Sequence, residues 1–421
     1  MNNLRYDALV IGGGAAGMAA ASEIARKGLS VILVERDPLL GGILLQCIHN
    51  GFGLHEFKTE LTGPEYAERW EEQVRQQEID ILCDTTVIDL AEAGDEAGAR
   101  TAVCVSPQQG MFQITAAAVV LAAGCRERNR GAIRIPGTRP AGVYTAGLAQ
   151  RMVNLEGYLP GKDIVIVGSG DIGLIMARRM TWSGCKVHAV VEIQPYPSGL
   201  TRNISQCLND FGIPLYLSHV VSRIHGKHRL EGVDITPLES GRPAKSETFP
   251  IDCDTLLLSV GLIPSHELAR RIGAEINPLT NGPAVDGRMM TTVPGVFCCG
   301  NVLHVHDLVD FVSAESRRTG MHAAEYLQGY QPENQVRIKP GANIRYVVPG
   351  AYLPDKPGIL YFRPMIVKNN AVVQVIMDGS VLQEYKKPHV QPSEMIEIDM
   401  KKLKLEPDKI RRDSALEVRL Q

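Results

Sequence analysis

The sequence predicts an α/β protein made of two Rossmann-like dinucleotide-binding domains, the second inserted in the first, followed by a small C-terminal antiparallel β-sandwich domain. Three observations predict it. The stretches "YDALVIGGGAAGMAAASEIARKG" (6–28) and "DIVIVGSGDIGLIMARRM" (163–180) share one grammar: an apolar strand, three spaced glycines, an apolar helix. "TTVPGVFCCGN" (291–301) reads as a return to the first sheet. From Ile344 onward, short β-branched or alternating runs broken by Pro-Gly, Asn-Asn and Asp-Gly replace helical periodicity.

Apolar runs flanked by turn residues place strands at Ala8–Ile11, Val31–Val34, Ile79–Leu82, Val119–Ala122, Ile164–Val167, Val187–Val191 and Leu256–Val260. Helical stretches lie between several of them, including Glu65–Gln77 and Ile204–Phe211. Pro160-Gly161-Lys162 marks the passage from the first unit to the second, which winds down after Ser265. The expected domains are 1–158 with 285–335, then 159–284, then 340–421. No period of 20–50 residues suggests a solenoid.

Composition excludes several classes. Apolar residues make up 44% of the 421 and charged ones 22%, enough for a sizeable core. A net charge of −3 leaves no basic surplus for nucleic acid or an anionic membrane. The longest apolar runs, such as "AAAVVLAAG" (116–124), are too short for a direct membrane span, and no basic leader with a cleavage site follows Met1. Nine cysteines without a C-x-x-C pair fit neither a disulfide framework nor a metal or iron–sulfur site, so a reduced, cytoplasmic protein with no protein-held metal is expected.

In the first loop Gly12, Gly14 and Gly17 form G-x-G-x-x-G between strand and helix. Gly12 makes the tight turn, Gly14 lets backbone approach a pyrophosphate, and Gly17 lets the helix pack closely on the sheet. The helix N-terminus offers unpaired N–H groups and partial positive charge to phosphate. "VILVE" ends at Glu35, 23 residues after Gly12, where a carboxylate can accept from ribose hydroxyls. Gly168, Gly170 and Gly173 repeat the pattern, with Glu192 ending "VHAVVE" 24 residues on. An acidic residue there repels a 2′-phosphate and the next arginine is Arg202, which favours NAD(H) over NADP(H). Asp171 puts a charge inside this loop, either as an unwelcome neighbour of pyrophosphate or as a partner for the helix N-terminus. Two nucleotide sites in one chain suit a fixed redox group and a diffusing hydride carrier, whose domains must then face each other.

These residues resemble the two-dinucleotide-binding-domain flavoproteins of the pyridine nucleotide–disulfide reductase superfamily over about residues 5–330. The resemblance rests on both loops, "DPLLGG" ending in Gly41-Gly42, "VVLAAGCRER" (119–128), "LLLSVGLIPSHEL" (256–268) and the 291–301 segment. It implies FAD at Gly12, Gly14, Gly17 and Glu35, with Gly42 toward the flavin, Val87 contacting adenine through its backbone and Gly124 beside FAD. It implies NAD(P)H at the second loop, with Gly261 and Pro264 marking the return. The family's usual closing Gly-Asp is here Gly300-Asn301, which keeps hydrogen-bonding capacity with one charge fewer. Disulfide-reducing members carry a close cysteine pair, whereas "GGILLQCIHNGFG" holds only Cys47, so no dithiol relay is available there. Cys47 beside His49 could form a reactive thiolate, but a small packed residue with a loop histidine is the plainer expectation. Cys298-Cys299 reads as packing.

"GGILLQCIHNGFGLHEFKTELTGPEYAERW", "AAGCRERNRGAIRIPGTRPAGVYTAG", "PYPSGLTRNISQCLNDFGIPL" and "GNVLHVHDLVDFVS" are similar to subunits accompanying anaerobic FAD-dependent glycerol-3-phosphate dehydrogenases. That resemblance implies a larger dehydrogenase partner, with a second copy of this chain as a further possible partner for the C-terminal domain. Val309, Val312 and Ser316 are spaced as one helix face, and the resemblance points that helix N-terminus at the flavin, with His304 and His306 as supplements or as plain loop residues. No residue pattern marks a protein nucleophile or base. A stand-alone NADH oxidase and a non-catalytic interaction subunit are the rival readings.

Overall fold

The computed structural model describes residues 3–94, 98–356, 358–403 and 414–421. Two compact units emerge, Arg126–Ile263 and the remainder.

In the outer unit, parallel strands run Ile79–Leu82, Val31–Val34, Asn3–Ile11 and Gly110–Leu121. The strand Gly110–Leu121 shares its other edge between two partners. Its first half pairs antiparallel with Arg100–Ser106, which continues to Thr86–Glu92, and its last residues pair in parallel with Val296–Cys298. The 291–301 segment therefore does rejoin the first sheet. Side chains alternate between faces: Ala8 and Val10 enter one core, Leu9 and Ile11 the other. Both faces are buried, which explains why these strands read as continuous apolar runs. On one face lie the helices Ala15–Ala25, Gly63–Arg75 and Val309–Leu327. Ala15–Ala25 and Val309–Leu327 pack so tightly that a Cβ at Gly320 would stand 2.3 Å from the Ala20 carbonyl oxygen.

The outer unit ends in two stacked sheets. One orders Ala351–Tyr352, Val336–Pro340, Ala415–Leu420, Lys368–Met377 and Ser380–Val390; the other Ile344–Val348, Ile359–Pro364 and Ile396–Asp399. Inward-facing residues such as Val336, Ile338, Phe362, Val373 and Val418 meet in one core. The sandwich is not wholly antiparallel, since Val336–Pro340 and Ala415–Leu420 pair in parallel. It also begins at Val336, before the expected residue 340.

The central unit has a five-stranded parallel sheet ordered Val143–Thr145, Thr255–Leu258, Asp163–Val167, Lys186–Glu192, Leu215–Leu217. Residues of the helices Ala146–Asn154, Asp171–Trp182 and Thr201–Cys207 share a core on one face. An antiparallel sheet of His219–His225, Gly232–Glu239 and Phe249–Asp252 contributes to the core on the other. Its limits differ from 159–284. Val143–Thr145 already belongs to this sheet, while Ala269 and Ala274 are buried in the outer unit's core. Among the described residues no helix is long and apolar enough to cross a membrane.

Candidate functional site

The carboxyl ends of the outer unit's parallel strands converge. Gly12 donates its N–H to Val34 O at 2.8 Å, Ala122 to Ile11 O at 2.9 Å, and Cys299 to Leu121 O at 3.2 Å. Such a convergence in an open α/β sheet is where ligands bind. Gly12 adopts φ +109°, and a Cβ there would stand 2.5 Å from the Ala122 carbonyl oxygen. A Cβ at Gly17 would stand 1.7 Å from the Gly12 oxygen, so helix and turn touch backbone to backbone. Gly14 is different: it caps the Ala15–Ala25 helix, and a Cβ there would meet nothing within 4 Å. That open face at a helix N-terminus leaves room for phosphate.

Glu35 is buried and locks the turn. Its Oε2 accepts the Gly13 N–H at 2.6 Å and its Oε1 accepts the Asp37 N–H at 2.8 Å. Gly41 donates to Gly13 O at 2.9 Å, which brings Gly42 beside Gly14. Val87 lies on Thr86–Glu92, partly buried in the same core as Ile32 and Val34. Gly124 accepts the Ser265 N–H at 3.0 Å. Gly300 abuts Ala16, with a would-be Cβ 2.9 Å from the Ala16 methyl, so it joins Gly12, Gly14 and Gly17 at one locus. Asn301 turns its Oδ1 to the His306 N–H at 3.0 Å and so shapes the following loop.

The second loop is built alike. Gly168 has φ +91° with a would-be Cβ 2.0 Å from Ser259 O, Gly173 crowds Gly168 O, and Gly170 caps the Asp171–Trp182 helix. Buried Glu192 takes Glu35's part: its Oε2 accepts from Ser169 N at 2.9 Å and Ser169 Oγ at 2.6 Å, and its Oε1 from Gln194 N at 2.9 Å. Oε2 also accepts the Ser198 hydroxyl at 2.9 Å. Asp171 points its Oδ1 at Leu200 N, 2.9 Å, and Asn203 Nδ2, 2.6 Å. Its charge thus anchors the 198–203 segment. This segment, quoted above only for its resemblance, folds across the loop: Ser198 N donates to Ser169 Oγ at 2.8 Å.

Three more residues were illegible. Buried Asp310, in the first turn of Val309–Leu327, accepts from Gly53 N at 3.1 Å, His55 N at 3.0 Å and Glu56 N at 2.8 Å. Arg317 pairs with Glu56 through both carboxylate oxygens. Glu315, fully buried, accepts Gly300 N at 2.7 Å and faces His304 Nε2 at 2.8 Å. Burial alone would raise its carboxyl, yet the His306 and His304 rings hold it well below the usual range. Burial and the neighbouring His306 ring push His304 down.

The thiols are quiet. Burial pushes Cys47 up to about 12, and its Sγ donates to Ile43 O at 3.3 Å. His49 Nδ1 lies 3.1 Å from Asn50 O. Burial likewise raises Cys298 well above its ordinary value, and Cys299 to about 12. The described cysteines are all free thiols.

The chain is 28% identical over 320 residues to an opine oxidase subunit of Agrobacterium tumefaciens (strain Ach5), covering 70% of this chain and 61% of that one. It therefore spans about three-fifths of that relative's length. It is 25% identical over 335 residues to NADH oxidase of Methanocaldococcus jannaschii, covering 76% and 68%. Thioredoxin reductase of T. acidophilum shares the fold, with TM-score 0.62, 21% identity and coverage of 76% and 98%. The sequence profile of pyridine nucleotide-disulphide oxidoreductases matches residues 6–338. With that match over most of its length, the chain belongs to the pyridine nucleotide-disulphide oxidoreductase family, whose members use FAD and NAD(P)H.

Proposed function

We propose that this chain is a flavoprotein oxidoreductase that passes hydride between bound FAD and NAD(H). The observation that carries it is the pairing of two glycine loops, each closed by a buried glutamate, Glu35 on Gly13 N and Glu192 on Ser169 N. Bound FAD supplies the ring that exchanges hydride with nicotinamide. The protein's part is position and electrostatics. Gly14 and the N–H groups opening Ala15–Ala25 would receive the FAD pyrophosphate, with Gly42, Gly124 and Gly300 lining the approach and Val87 at the adenine end. Glu35 has lone pairs left for ribose hydroxyls. Asn301 would meet the ribityl chain with a neutral amide. The N-terminus of Val309–Leu327, held by Asp310, would favour negative charge on the reduced ring.

At Gly168, Gly170 and Gly173 the same cradle would admit the mobile nucleotide, and the acidic Glu192 favours NAD(H) over NADP(H). Burial pushes the Cys47 thiol up, which favours a hydride transfer that does not use its thiolate. The purified chain should show flavin absorbance that NADH bleaches anaerobically; bound flavin that NADH does not bleach would sink the hydride reading.

We further infer that the chain is the electron-transfer subunit of a glycerol-3-phosphate dehydrogenase-like complex, with a larger FAD-dependent dehydrogenase as partner. The segments 41–70, 122–147, 195–215 and 300–313 support this, as does likeness to a protein named as a subunit. Co-purification of a large flavoprotein with the natively expressed chain tests it. Likeness to an NADH oxidase favours a second reading, the stand-alone oxidase. Rapid NADH-dependent oxygen uptake by the isolated chain, without a partner, would select it.

A further inference from the structure

His304, His306 and Glu315 meet inside the outer unit, between the Gly300 turn and the C-terminal sandwich. One nitrogen from each ring and one carboxylate oxygen lie within 4.8 Å of one another. His304 Nε2 is 2.8 Å from Glu315 Oε2, and His306 Nε2 is 3.3 Å from Glu315 Oε1. The Glu315 and His306 side chains are 0% exposed and that of His304 is 1% exposed.

The polar bonding here is incomplete. His304 Nδ1 and His306 Nδ1 have no hydrogen-bond partner among the described residues, and His306 Nε2 makes only its 3.3 Å approach to Glu315. Buried nitrogens without partners are expensive, because water's hydrogen bonds are lost and not replaced. The neighbouring cations are directed elsewhere: Arg363 to Asp307 at 2.7 Å, and Arg318 to the Tyr361 hydroxyl at 2.6 Å. A buried carboxylate facing two imidazoles, with no described Arg or Lys turned toward them, offers a set of donors that one cation could share.

We propose that His304, His306 and Glu315 bind one divalent first-row transition-metal ion. Two imidazoles and a carboxylate suit Zn2+ and Fe2+ alike, whereas Mg2+ and Ca2+ prefer all-oxygen sets. An ion about 2.1 Å from each donor holds the donors roughly 3 to 3.5 Å apart, so the 2.8 Å and 3.3 Å Nε2–carboxylate approaches would need only small side-chain shifts to admit one. The ion would act as a staple. Glu315 is bonded to Gly300 N, and the His304 ring packs on Tyr346 and Tyr361, 5.9 and 5.6 Å between centroids. One ion would thus tie the loop after Val296–Cys298 to the Val309–Leu327 helix, against which the sandwich packs through Tyr346 and Tyr361. Its uptake would accompany folding, since the site is closed to solvent.

The test uses the full chain without a polyhistidine tag, expressed separately in zinc- and iron-supplemented media and purified without chelator. Elemental analysis should find about one equivalent of one of these metals, and X-ray absorption at its edge should find nitrogen and oxygen neighbours near about 2.1 Å with imidazole scattering. His306→Ala and Glu315→Gln should each lower metal content at least about tenfold. His389→Ala, at an exposed ring on the sandwich, should leave it unchanged. Background metal in the wild-type protein from both media would overturn the proposal, and this holds even if the variants fail to fold. Full metal retention in a folded Glu315→Gln or His306→Ala protein would overturn it too.

Discussion

Glu35 Oε2 accepts the Gly13 N–H at 2.6 Å, and 156 residues beyond Gly13 the Ser169 N–H is accepted by Glu192 Oε2 at 2.9 Å. In both units an acidic residue at the end of the second strand fastens the middle of the glycine turn. Glu35→Gln keeps the side chain's size but sets its NH2 donor against one of the two backbone N–H groups, Gly13 or Asp37, that the carboxylate accepts. Losing a charge-assisted bond in a buried turn costs about 1.5–3 kcal/mol, so the flavin dissociation constant should rise about 10- to 150-fold. Flavin released on dilution, followed by fluorescence, measures it.

Gly14 and Gly17 should separate folding from binding. Alanine at Gly17 drives a methyl into the Gly12 carbonyl, and overpacking of this kind costs about 1–3 kcal/mol or more. Lower Tm and soluble yield are expected. Gly14→Ala meets open space at an ordinary φ of −75°, so apo-protein stability should hold within about 0.5 kcal/mol while flavin content collapses. Equal loss of Tm in both variants would contradict the assignment of Gly14 to phosphate.

The Ser198 hydroxyl donates to Glu192 Oε2, and under the proposed NAD(H) reading it competes there with a ribose hydroxyl. Ser198→Ala removes this competitor. The KM for NADH should fall about three- to tenfold, with flavin content unchanged, in steady-state assays with an artificial acceptor. A rise in KM would mean that Ser198 supports the nucleotide.

Cys47 supplies a pH prediction. Burial disfavours the thiolate and raises the thiol to about 12, so near pH 8 the anion is scarce. Ionisation, and with it alkylation, should rise only as pH climbs toward 12. Mass spectrometry after iodoacetamide at pH 8 should find Cys47 unmodified, and Cys47→Ser should bleach with NADH as fast as the parent.

The glycine loops were legible because their demands are local: strand, turn and helix follow within a dozen residues, and each glutamate ends the very next strand. Asp310 and Glu315 were not. Asp310 serves amides at Gly53, His55 and Glu56, more than 250 residues away, and no spacing rule links them. Glu315 looks like any polar helix residue until the chain at Gly300 folds over it. That Val143–Thr145 joins the central sheet was hidden because the strand is only three residues long, too short to show a period. The parallel pairing of Val336–Pro340 with Ala415–Leu420 joins distant segments, and the alternating pattern of each is blind to direction.

The hydrogen bond from Ser265 N to Gly124 O joins the two points at which the outer unit is interrupted. The break is already sutured from one side, so deletion of 126–263 should leave the outer unit's ends side by side. A short glycine bridge across that stitch would leave the remaining sheet, helices and sandwich with an unbroken backbone path, and the two cradles could be studied as separate molecules.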